Sequence, residues 1–187
     1  MKKALVFLAE GYEEVEAVTP IDFLRRAGIE VVVVGIGGKR ITGANGLEIT
    51  SDISISDLDS ALAESSDILI FPGGMPGASN IASESKVISL INEYNSKGKL
   101  LSAICASPAV VLAPTGVLDG KTATCYPGME EGFGPETQYS TESVVIDDNI
   151  ITSRGPATAM AFSYVIVKIL AGRQAADELI SKALYKL

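Results

Sequence analysis

The chain has 187 residues, of which 47% are apolar and 20% charged; it can build a sizeable core within one domain spanning residues 1–187, and disorder is not expected. Its formal net charge of −8 repels phosphate backbones and anionic lipid surfaces, so neither nucleic acid nor a membrane is an expected partner. Histidine is absent and there are two cysteines, which excludes Cys-His, Ser-His-Asp and His-metal sites built within the chain, argues against a disulfide framework, and points to a reducing cytoplasm with no metal or other cofactor.

The run Lys2-Lys3-Ala4-Leu5-Val6-Phe7-Leu8-Ala9 is too short an apolar stretch for a signal peptide, and Glu10 ends it without a cleavage-type site. It predicts a first strand, Ala4–Leu8. Val15, Val18, Ile21 and Leu24 step at helical spacing, and Gly28 closes that helix. Further continuously apolar runs predict buried strands over Glu30–Gly35, Asp67–Phe71 and Leu100–Ile104. Helices are predicted at Val87–Tyr94 and Pro108–Leu112. Val144–Ile146 and Ile150–Thr152 flank Asp147-Asp148-Asn149, a hairpin signal. Two helices, Ala157–Ala171 and Ala175–Leu184, finish the chain. Strands alternating with helices predict a three-layer α/β/α sandwich on a mostly parallel sheet, with ligands beyond the carboxyl ends of the strands.

Ala103-Ile104-Cys105-Ala106-Ser107-Pro108 passes from apolar strand to helix within a few residues. Ala103 and Ser107 stand two positions either side of Cys105, as a sharp turn presenting a nucleophile requires, and Pro108 suits the first helical turn. The helix N-terminus predicts a thiol pKa below about 8.5, and nearby backbone N–H groups are candidate oxyanion donors. A cysteine ending a buried strand is equally well explained as core filling.

Phe71-Pro72-Gly73-Gly74-Met75-Pro76-Gly77 follows another buried strand. Its glycines let backbone N–H groups of Gly73 and Gly74 face a site as an oxyanion hole, or simply form a tight turn; it lacks the lysine and spacing of a P-loop. In Glu10-Gly11-Tyr12-Glu13-Glu14-Val15-Glu16 the carboxylates suit a helix N-terminus. Glu16 borders the apolar stripe, and Pro20 removes the hydrogen bond its carbonyl would receive.

These segments together resemble the ThiJ/PfpI family, in the branch of the parkinsonism-associated protein deglycase. The matching residues are Lys3-Ala4-Leu5-Val6, Glu13-Glu14-Val15-Glu16, Arg25-Arg26-Ala27-Gly28, Phe71-Pro72-Gly73-Gly74, Ala103-Ile104-Cys105-Ala106 and Thr152-Ser153-Arg154-Gly155-Pro156. The resemblance implies a flavodoxin-like fold and a homodimer. It implies Cys105 as nucleophile and redox-sensitive thiol, Glu16 as its hydrogen-bonded carboxyl, and the amides of Gly74 and Ala106 as oxyanion donors. Ala106 stands where the family's proteases carry histidine, so peptidase activity is not expected. Tyr126, in Thr124-Cys125-Tyr126-Pro127, stands where the branch commonly has histidine, and Gly46 where some members have arginine. Tyr12 and Tyr126 either border the pocket or pack. Cys125 is a resolving thiol, a second sensor or inert filling. Arg154, beside Gly155-Pro156, anchors a subunit interface or the last strand.

The implied activity is that of a metal-independent glyoxalase or protein deglycase. Cys105 adds to a small aldehyde such as methylglyoxal, and Glu16 shuttles the proton. The alternative is a non-enzymatic redox sensor or stress-response holdase working through Cys105 oxidation.

Overall fold

The computed structural model describes residues 1–185. Its elements in order are β1 (Lys3–Leu8), α1 (Glu14–Arg26), β2 (Glu30–Gly35), β3 (Arg40–Thr42), β4 (Glu48–Thr50), β5 (Ile53–Ser54), α2 (Ser60–Ser65), β6 (Ile68–Phe71), α3 (Gly77–Ala82), α4 (Ser85–Ser96), β7 (Leu100–Ile104), β8 (Thr122–Ala123), β9 (Gln138–Tyr139), β10 (Val144–Asp147), β11 (Ile150–Ser153), α5 (Ala159–Ala171) and α6 (Arg173–Lys182). A seven-stranded sheet runs in the order β10-β11-β7-β6-β1-β2-β5. All its pairings are parallel except β10 with β11. Helices α1, α5 and α6 pack together on one face. On the other, α3 packs on α4, and Tyr94 Oη of α4 donates to Ala63 O of α2 at 2.6 Å. This is the expected three-layer α/β/α sandwich.

The central strands are buried on both sides, which explains their unbroken apolar sequences: Ala4 through Leu8 and Ile68 through Phe71 have no exposed surface. Asp67, expected inside a strand, lies just before one; its carboxylate accepts from Lys2 Nζ at 2.7 Å and Lys3 N at 2.8 Å. Because β1, β6 and β7 are parallel, the segments following Leu8, Phe71 and Ile104 emerge at one edge of the sheet. That edge is where such sheets bind ligands.

Helix α1 is capped by Glu13, whose side chain accepts from Glu16 N, and ends before Gly28, which takes a φ of 77°. Its buried side is Glu14, Glu16, Ala17, Pro20, Ile21 and Leu24. The stripe expected from the sequence is therefore half right: Ile21 and Leu24 are core, whereas Val15 and Val18 are 49% and 40% exposed. At 3.6 residues per turn, the arc through 14, 17, 21 and 24 excludes 15 and 18. Glu16 lies at the far edge of the buried face, as expected, and has no exposed surface.

Other boundaries shift for local reasons. Helix α5 starts at Ala159 because Pro156–Thr158 forms a 3₁₀ turn. Helix α6 ends at Lys182, leaving Leu184 with a φ of 57° beyond it. The hairpin at β10 and β11 closes through Asp148, with a φ of 51°, and Asn149. Residues Pro108–Leu112 form a wide π-type helical turn. The β3–β4 hairpin, outside the main sheet, was not expected from its short, weakly alternating strands.

Candidate active site

Cys105 directly follows β7 and has a φ of 64°, a left-handed conformation costly for a side chain and concentrated at functional sites. The surroundings enforce it. Cys105 N donates to Ser153 O at 2.9 Å, and Cys105 O accepts from Tyr126 N at 2.8 Å. Buried Ser107 donates its hydroxyl to Pro72 O at 2.6 Å, locking the turn onto the glycine loop.

That loop brings the acid to the thiol. A Cβ on Gly73 would lie 2.6 Å from both Cys105 Cβ and Glu16 Oε2, and 3.0 Å from Ala106 N, so glycine is required for the contact. Glu16 has no exposed surface, and its Oε2 accepts from Gly73 N at 2.8 Å. Oε1 is buried with no hydrogen-bond partner, and the carboxyl lies beside Cys105, close enough for each group to shift the other. Gly73, expected among the oxyanion donors, thus gives its N–H to Glu16. The N–H groups of Gly74 and Ala106 face the sulfur.

Burial pushes the Glu16 carboxyl up from 4.5 to about 7; the thiol contact and the Gly73 N–H oppose the rise and the Glu13 charge adds to it. The expectation of an acidic thiol is overturned for the resting pair. Burial, then the charge of Glu16 and the hydrogen bond to it, push Cys105 up to about 12, against the pull of the Gly74 and Ala106 amides. Helix-terminal amides alone cannot support two adjacent negative charges in a dry site. The pair therefore holds one charge, and that charge is available near neutral pH. With Cys105 only 9% exposed, access to the sulfur is narrow.

The remaining expected residues divide. Tyr12 is a packing residue: it is fully buried, with its hydroxyl donated to Leu47 O at 2.8 Å. Tyr126 is 47% exposed and, with Pro127, Ser143, Arg154 and Pro156, lines an open cleft of about 270 Å³. Its ring lies where a Cβ on Gly155 would make 3.4 Å contact. Cys125 has no exposed surface, burial pushes its thiol up to about 11, and it is not among the residues lining this cleft. Arg154 donates to Thr141 O at 3.2 Å, tying the segment before β10 to the end of β11. Gly46 sits in the β3–β4 turn with a φ of 89°. Among the described residues no group of three or more His, Cys, Asp or Glu side chains is placed to hold a metal ion, and no helix is long and apolar enough to cross a membrane.

Glu14 has a structural part that the sequence did not announce. Its carboxylate is buried and accepts from Asn45 N at 2.6 Å, Asn45 Nδ2 at 2.8 Å and Leu47 N at 3.3 Å. The one available signal was Asn45-Gly46, a tight-turn dipeptide.

Comparison with known proteins agrees with this architecture. The family model of the DJ-1/PfpI family matches residues 2–169. The chain is 40% identical over 179 residues to Protein dj-1beta of Drosophila melanogaster, covering 95% of this chain and 94% of that one. It is 33% identical over 180 residues to the glutathione-independent glyoxalase DJR-1.2 of Caenorhabditis elegans, covering 96% and 94%. The solved structure of oxidized DJ-1 from Toxoplasma gondii superposes with a TM-score of 0.93 at 35% identity, covering 100% of both chains. The chain is a member of the DJ-1/PfpI family, in its DJ-1 branch.

Proposed function

We propose that this protein is a metal-independent enzyme acting on small reactive carbonyls, of glyoxalase or protein deglycase type, with Cys105 and Glu16 as its catalytic pair. The family and its glyoxalase relative support reactive-carbonyl or redox chemistry in general. The observation carrying the finer reading is the apposition of Cys105 and Glu16, with a fully buried carboxyl near 7. A proton shuttle works best when its pKa lies close to ambient pH.

The pair loses its first proton near pH 7. With the remaining proton on Glu16, the negative charge sits on Cys105 and faces the Gly74 and Ala106 amides. The thiolate adds to the aldehyde carbon of methylglyoxal, and the oxygen takes up the Glu16 proton to give a hemithioacetal, leaving Glu16 as a carboxylate. Glu16 removes the proton from the former aldehyde carbon and returns it to the adjacent carbon, while the hydroxyl proton passes to the adjacent oxygen. This converts the hemithioacetal to a thioester, which water hydrolyses to lactate and free thiol. Gly46 places no cation at the β3–β4 turn, in keeping with an uncharged substrate. A homodimer with Arg154 and Pro156 at its contact accompanies this proposal.

The second reading, Cys105 oxidation in a redox sensor or holdase, draws support from the likeness to an oxidized DJ-1 structure. The absence of histidine costs it nothing, because oxidation needs no imidazole. Lactate formation from methylglyoxal by wild type, Cys105→Ser and Glu16→Ala tests the enzyme reading. Turnover lost in both variants is expected, and wild type without Cys105-dependent turnover refutes it. Peroxide-driven mass gain at Cys105 in that event favours the sensor.

A further inference from the structure

We propose that Glu14 and Asn45 form a positioning clamp, which holds the Gly11–Glu16 segment where it sets Glu16 and the Gly74 amide against Cys105; this rests on the reading of that pair as the reactive centre. Glu14 is 8% exposed, and a carboxylate this buried is costly unless its surroundings are built for it. Among the described residues it pairs with no lysine or arginine. It is held instead by the N–H donors of Asn45 and Leu47. Gly43 completes the cradle: a Cβ there would meet Glu14 Cδ at 2.5 Å and Cγ at 2.8 Å. Burial favours the neutral acid, yet the Asn45 side chain and the backbone donors outweigh it and keep the carboxyl below its usual value.

The clamp is continuous with the site. Gly11 N donates to Thr42 O at 2.8 Å, Ala44 N to Tyr12 O at 2.8 Å, Thr42 N to Glu10 Oε2 at 2.9 Å and Tyr12 Oη to Leu47 O at 2.8 Å. On its other side the same segment meets the glycine loop. Glu13 N donates to Gly73 O at 2.9 Å and Gly77 N to Gly11 O at 3.2 Å, while a Cβ on Gly74 would collide with Glu13 N and one on Gly77 would lie 2.6 Å from Tyr12 N. The Gly11–Glu16 segment is thus sandwiched between the β3–β4 turn and the loop carrying the Gly74 amide. Loosening the turn displaces Glu16 without any intervening element. The charged and titratable groups around the segment are Glu10, Tyr12 and Glu14 on the turn side and Glu13 and Cys105 around Glu16. Neither Glu14 nor Asn45 is among the groups that shift the Cys105 thiol, so their effect passes through position.

The test is a polarity swap read by the pH dependence of Cys105 alkylation with iodoacetamide, followed at peptide level by mass spectrometry. Asn45→Asp sets a second carboxylate against Glu14 Oε2, and Glu14→Gln sets two amide donors face to face. Combining them restores one donor and one acceptor with reversed polarity, and leaves a carbonyl for the Asn45 and Leu47 N–H groups. The wild-type profile is expected to show an inflection near the Glu16 value of about 7. Asn45→Asp is expected to move it at least about one unit toward the ordinary carboxylate range as Glu16 gains water, with the double variant moving it back. Asn45→Ala, the milder change, shifts it in the same direction. An unmoved inflection in Asn45→Asp or Asn45→Ala, even with a lowered Tm, overturns the proposal, because a structural staple alone would behave that way. Failure of the double variant to restore it does so as well. The alkylation readout needs no turnover, so absent lactate formation refutes the enzyme reading without deciding this one.

Discussion

Replacing Glu16 with glutamine should stabilise the protein above neutral pH while removing its chemistry. The folded chain holds the Glu16 proton more tightly than the unfolded chain, with a pKa of about 7 against 4.5. This group's contribution to stability is therefore fully present below about pH 4.5 and is lost as pH rises through about 7. Since one pKa unit corresponds to about 1.4 kcal/mol, the loss is on the order of 3 kcal/mol. Glu16→Gln keeps a carbonyl for the Gly73 N–H and cannot ionise. Guanidinium unfolding followed by far-UV circular dichroism at pH 5 and pH 8.5 measures the difference; the thiol titration near 12 lies outside this window. The variant should gain on wild type by on the order of 3 kcal/mol between the two conditions. A stability difference that does not change with pH would refute the assignment of burial as the cause of the raised carboxyl.

Gly73→Ala should abolish Cys105 alkylation at neutral pH and cost about 1–3 kcal/mol, because its methyl group needs the space where Cys105 Cβ and Glu16 Oε2 lie; retained alkylation with unchanged Tm would contradict the packing. In α1, Leu24→Ala should cost about 2–5 kcal/mol, whereas Val15→Ser and Val18→Ser, at exposed positions, should each change the stability of the monomeric chain by less than about 0.5 kcal/mol. Chemical denaturation at concentrations where the chain is monomeric makes that comparison. Tyr126→His should fold normally, since the ring is 47% exposed, and should raise kcat for methylglyoxal by supplying an imidazole that ionises near neutral pH; an unchanged kcat would show that no step waits on that base.

Much of the architecture was legible because it depends on short-range pattern. The unbroken apolar runs at Leu5–Leu8, Val31–Val34 and Leu69–Phe71 specify strands covered on both faces, and their alternation with helical segments specifies a parallel sheet. The Ala103-to-Ser107 spacing marked the turn on which Cys105 takes its positive φ. What stayed hidden was which side of each element faces its neighbours. Val15 and Val18 read as core, yet the buried arc of α1 runs through Glu14, Glu16 and Ala17, placing two carboxyl groups inside the protein. The Gly73 amide, the Asn45 side chain and the Cys105 sulfur come to those acids from segments far away in the chain, so no local spacing announced them.

The thiol shows the division most clearly. Residue order alone determined that a cysteine sits at a helix start, where amides favour its charge. The folded structure decided that a buried acid shares the space, reversing the direction of the shift and moving the titration near neutrality onto the pair. Helix and strand formation follow from neighbours along the chain, but a pKa follows from the local dielectric and the charges within a few ångströms, and only tertiary packing sets those.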